Sequence, residues 1–279
     1  MNTDKTTSRF APALLWAGFL LTAVWAVAVR VVLFQGARPF FVRPFAFGAG
    51  LVAANVLTVW LSMKVARDFA PGSALRRAWR MMAWAGAFGA LRYGAMWFAG
   101  LRGLGLDSGR PSPIVPGAQV AALISVVLLL GALVTMRAPF ARLGLGRLRW
   151  ADWAAVGVLA ATVPVMYLLR ESARVTSYRL PLLLAVQQFD PVLIAGCAIA
   201  GVLLLRIGRD LEGGPLAISF RYVMLFGIVR LLALLVVLFP IGAMAAPFTA
   251  AGLASDWLIT MAVFCRWRLT VEAREYREG

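Results

Sequence analysis

The stretch AQVAALISVVLLLGALVTM, from Ala118 to Met136, decides what kind of protein this is. It holds 19 residues without a charge or a proline. At a helical rise of 1.5 Å per residue it is about 28 Å long, close to the ~30 Å thickness of a bilayer's hydrocarbon core. Similar runs lie on both sides, at Ala11–Phe34, Phe45–Met63, Met81–Leu101, Trp153–Leu169, Pro191–Leu205, Tyr222–Phe239 and Phe248–Cys265. The expected fold is therefore an all-α, polytopic integral membrane helix bundle with about eight transmembrane helices. Pro240–Pro247, short and rich in small residues, reads as a tight hairpin between the last two.

Composition agrees. Of 279 residues, 62% are hydrophobic and only 14% are charged, where a soluble domain carries about 25%. The net charge of +16 sits in short connectors between apolar runs. That fits retention of cations on one side of a membrane and contact with anionic lipid headgroups better than a nucleic-acid face, so nucleic acid is not an expected partner.

The cations also orient the chain. With the N-terminus inside, the N-terminal segment, inner connectors and C-terminal tail together hold 18 Lys and Arg and the outer connectors hold 8. That bias predicts both termini in the cytoplasm. The Ala- and Arg-rich composition suggests a bacterial inner (plasma) membrane. Ala26-Val27-Ala28 resembles a signal-peptide cleavage site, but the apolar run continues to Phe34, as a retained anchor would. Trp16, Trp60, Trp79, Trp97, Trp150, Trp153 and Trp267 lie near the ends of runs, as an aromatic belt does.

The connector Lys64-Val65-Ala66-Arg67-Asp68 and the connector Arg206-Ile207-Gly208-Arg209-Asp210 share a pattern, offset by 142 residues. Each leads to an aromatic-Arg pair, Trp79-Arg80 and Phe220-Arg221. This suggests a parallel four-plus-four duplication within one membrane domain, 1–142 forming the first half and 143–279 the second. Asp68 and Asp210 would cap the chain reversals or pair with nearby Arg. Leu180–Phe189 reads as an interfacial lead-in, with Asp190 as N-cap of the helix beginning at Pro191. The connector layout resembles that of the multispanning input modules of bacterial sensory proteins.

Chemistry is sparse. There is no histidine, which excludes bis-histidine haem, histidine-bound metal and Ser-His-Asp catalysis. Cys197 and Cys265 both fall inside apolar runs, so neither a disulfide framework nor a metal site is expected, and no cofactor is. No phosphate-binding glycine loop, nucleophile elbow or paired acidic motif is present, so a non-enzymatic role is expected.

Three ionisable residues stand inside apolar runs: Arg92, Arg230 and Asp256. Each costs roughly 2.5–3.5 kcal/mol at the centre of a membrane helix and so should face protein or water. Arg230 and Asp256 are expected to pair, and Asn55 could serve Arg92 as a neutral partner. These four residues are the candidate site, either a structural staple or a place for an anionic ligand. The functional expectation is a ligand-sensing membrane module or a subunit of a larger membrane assembly, as a homo-oligomer or with a protein partner. The alternative is a small transporter for an anionic solute or lipid, its site between the two halves.

Overall fold

A computed structural model describes residues 4–34, 42–101, 114–172, 181–211, 215–238 and 245–278. Among these the chain is helical apart from short turns: α1 (Asp4–Phe34), α2 (Val42–Arg67), α3 (Ala74–Leu101), α4 (Ile114–Arg142), α5 (Trp150–Ser172), α6 (Pro181–Asp210), α7 (Pro215–Leu238), α8 (Ala245–Ala254) and α9 (Asp256–Glu278). The hairpin expected at Pro240–Pro247 lies mostly outside the described residues.

Among the described residues, five stretches are long and apolar enough to cross a membrane: Gly48–Arg67, Pro116–Arg142, Trp150–Leu168, Phe189–Asp210 and Ala217–Val236. The fold is a helical bundle of membrane type. The Trp150–Leu168 stretch makes the physical point, because only 6% of its window is buried. Val158 and Leu168 are each about two-thirds exposed on it. Lipid solvates such a surface, whereas water would drive it into association. In lipid, helices gain little by burying apolar area and associate by close packing and interhelical hydrogen bonds. Gly227 of α7 shows this: a Cβ there would overlap the backbone of Ala198 on α6.

α9 is the hub of the polar contacts. Trp257 Nε1 donates to Thr22 Oγ1 of α1 at 3.0 Å, and Ser219 Oγ of α7 donates to the Ala262 carbonyl at 2.6 Å. Thr260 Oγ1 donates to the Ala54 carbonyl of α2 at 2.9 Å and lies 2.9 Å from the Thr58 hydroxyl. Towards the end of this pair of helices, Lys64 Nζ of α2 sits 3.9 Å from the ring centre of Trp60 and 5.5 Å from that of Trp267 of α9.

Asp210, at the C-terminus of α6, accepts from Gly146 N at 2.8 Å and pairs with Arg206 at 2.9 Å. The side chain thus clasps the connector between α4 and α5, whose φ is positive at Gly144 and Gly146. Of the two roles expected of Asp210, the pairing with a nearby Arg is the one seen; its other bond reaches the α4–α5 connector, not its own chain reversal.

Three expectations change. Asp190 is not an N-cap: α6 begins at Pro181, so Asp190 lies nine residues inside it. The apolar stretch before Pro191 continues the helix, and a proline in a helix removes one hydrogen bond without ending it. Trp79 is buried in the core, 6% exposed, and does not belong to a lipid-facing belt. The third change matters most. The run Phe248–Cys265 is not one helix but two, α8 and α9, interrupted at Ser255.

Candidate functional site

The interruption at Ser255 has no proline to cause it. Ser255 turns its hydroxyl back to the Gly252 carbonyl at 2.6 Å, and Leu258 N bonds the Ser255 carbonyl at 2.8 Å in a tight turn. α8 therefore ends here and α9 starts afresh, with Asp256 in its first turn. A carboxylate there meets the positive end of the new helix.

Arg230 spans the gap. Its Nη1 lies 3.0 Å from Asp256 Oδ1 and donates to the Gly252 carbonyl at 3.3 Å, joining α7 to the end of α8 and the start of α9. Both side chains of the pair are mostly buried, at 14% and 16% exposed. Asn55 completes the arrangement from α2. Its Nδ2 donates to Asp256 Oδ2 at 3.0 Å and to the Leu51 carbonyl at 2.9 Å. Asn55 therefore serves Asp256, not Arg92 as its depth in the sequence suggested. Gly89 of α3 makes room for it, because a Cβ at that position would overlap the Asn55 side-chain oxygen.

Asn55, Arg230 and Asp256 line one cavity, enclosed by α2, α3, α4, α7 and α9. α2 contributes Asn55 and Thr58, α3 contributes Arg92 and Tyr93, and α4 contributes Ser125, while α7 and α9 bring Arg230 and Asp256. Apolar side chains such as Met82, Leu129 and Phe226 fill the rest of the wall. The cavity offers about 40 Å³ to the centres of water-sized molecules, room for roughly three waters. Arg92 and Arg230 stand nine and eight residues before the ends of α3 and α7, or about 13 Å along each helix axis.

The four residues singled out in the sequence thus share one wall, but they do not play equal parts. Arg230, Asp256 and Asn55 satisfy one another. Arg92 has no carboxylate within pairing distance among the described residues; its guanidinium lies 5.1 Å from the ring centre of Tyr93. Tyr93 is only 7% exposed, and its hydroxyl finds no well-formed hydrogen bond although it faces Arg230. A buried hydroxyl without a partner is costly.

Sequence reasoning missed Thr58, Tyr93, Ser125 and the break at Ser255. Thr58, one turn from Asn55 on the same face, was legible. Ser125, whose Oγ donates to the Ala85 carbonyl of α3 at 2.8 Å, was not. Chemically the cavity can bind and orient charge. Among the described residues no three His, Cys, Asp or Glu side chains gather to hold a metal. No family model, no curated protein and no solved structure matches this chain.

Proposed function

We propose that the protein is a non-enzymatic membrane transporter for a small anionic solute or an anionic lipid, with its site in the cavity between the two halves. The observation that carries this reading is the interrupted helix at Ser255, which brings a helix N-terminus and the Arg230–Asp256 pair to the cavity wall. Discontinuous helices at a site between repeats are a common construction of secondary transporters. Sequence composition alone put a sensing module ahead of transport; the broken helix reverses that order.

The reading includes eight crossings, with 1–142 and 143–279 as parallel repeats and both termini in the cytoplasm of a bacterial cell. Helix packing supports the repeat: α4 lies against α6 as α9 lies against α2, and α2–α3 pair as α6–α7 do. The cationic inner connectors would rest on anionic headgroups. Reporter fusions at both ends check the topology, and a reporter on opposite sides would overturn it.

A ligand-sensing module or assembly subunit is the second reading. It is favoured by α5, which packs mainly on α6 and leaves an almost bare apolar face for lipid or a partner. Proteoliposomes separate the two. Protein-dependent efflux of trapped methanesulfonate, abolished by Arg92→Gln, is expected for the transporter. Binding without flux would transfer the case to the sensor.

A further inference from the structure

We infer that Asp256 sets the charge of the ligand, so that the cavity accepts a monoanionic oxyanion, a carboxylate, sulfonate or phosphodiester group, in preference to a dianion. The inference rests on the anion-binding reading above and adds to it the ligand's charge and the residue that reads it.

Charge must balance in a mostly buried space. Arg92 and Arg230 place two guanidinium groups in the wall and Asp256 places one carboxylate. Asn55, Thr58, Tyr93 and Ser125 are polar without formal charge, so the wall carries one surplus positive charge. A single negative charge closes the balance. A second would remain in this mostly buried site without a partner, and that is unfavourable. Asp190 of α6 lies within electrostatic reach of Arg230 but does not line the cavity.

Geometry says where the anion sits. Arg230 is already engaged with Asp256 and the Gly252 carbonyl. Arg92 has no carboxylate partner among the described residues, and the Tyr93 hydroxyl beside it on α3 has no well-formed hydrogen bond. An oxyanion bridging them gains a charge-assisted bond from the guanidinium and completes the buried hydroxyl. The space suits a headgroup of about four or five non-hydrogen atoms, since it holds roughly three waters. Asp256, held in place by Arg230 and Asn55, faces that anion and excludes a further negative charge.

Methanesulfonate and sulfate test this, because they share a tetrahedral shape and differ by one charge. Dimethyl phosphate represents a lipid phosphodiester. Binding of each to the detergent-purified full chain is measured by titration calorimetry. The wild type is expected to bind methanesulfonate or dimethyl phosphate at least tenfold more tightly than sulfate. Either monoanion ahead of sulfate upholds the inference, and the tighter of the two says whether free acid or lipid is the source. Asp256→Asn, which keeps an acceptor for Arg230, should reverse the order in favour of sulfate. Asp190→Asn should leave it unchanged.

Sulfate binding the wild type as tightly as the monoanions would overturn the inference, and so would an unaltered order in Asp256→Asn or a reversal in Asp190→Asn. If Asp256→Asn fails to fold, the wild-type ratio and the loss of monoanion binding in Arg92→Gln still decide. Absence of binding by all three anions instead sinks the anion-binding reading itself.

Discussion

Arg230 on α7 and Asp256 at the start of α9 are joined at 3.0 Å, and the same guanidinium nitrogen holds the Gly252 carbonyl at the end of α8. One side chain therefore fixes both lips of a broken helix. Removing either partner strands a mostly buried charge. Asp256→Ala is expected to cost about 3–5 kcal/mol, and Asp256→Asn clearly less because an oxygen still accepts from Arg230. Denaturant unfolding in detergent checks the order; equal losses for the two would show that the pair contributes no charge-specific stability.

The neighbouring Thr260 supplies a scale for comparison. Its hydroxyl is wholly buried and bonds the Ala54 carbonyl. Interhelical hydrogen bonds of this kind in membrane proteins average about 0.6 kcal/mol and reach about 1.7. Thr260→Val should fall within that range, well below Asp256→Ala. A larger loss would mean that the α2–α9 contact depends on this hydroxyl more than on the ion pair.

Arg92 behaves oppositely. Having no carboxylate partner among the described residues, it should contribute little to folding without ligand, and Arg92→Gln is expected to unfold within about 0.5 kcal/mol of the wild type or above it, as substitutions away from a satisfied network do. A loss of several kcal/mol would make Arg92 a structural staple. The ligand inference would then lose its principal donor.

Gly89 protects the site indirectly. A side chain there would push the Asn55 amide away from Asp256, since the two helices leave no space between them. Gly89→Val is expected to lower Tm sharply, as overpacking costs about 1–3 kcal/mol even before a hydrogen bond is lost. Asn55→Ala together with Gly89→Val should be less damaging than the sum of the two single changes.

Far from the cavity, Asp210 clasps the connector that carries Arg147 and Arg149. Asp210→Ala should release it, and brief trypsin treatment should cut there many times faster than in the wild type. Unchanged cleavage would show that Gly144 and Gly146 hold the turn unaided.

Much of this was legible in the chain itself. The uncharged run Ala118–Met136 specifies a membrane helix because hydrocarbon admits little else, and a charge at Arg92, Arg230 or Asp256 stands out because it must be compensated. The pairing of Arg230 with Asp256 could be anticipated from depth alone. Asn55 could not be assigned its partner, since depth places a residue along the membrane normal and says nothing of which neighbour it turns toward.

What the sequence determined by itself is the solvent: apolar length and sparse charge demand a helical bundle in lipid. What only the tertiary structure decided is the break at Ser255, the loss of Asp190 as a cap, and the meeting of Arg92, Tyr93, Arg230 and Asp256 around one cavity. The physical reason is that hydropathy averages over a helix's circumference and length. A single interrupted turn, or the direction in which one side chain points, leaves that average unchanged, and both are fixed only by close packing against particular neighbours.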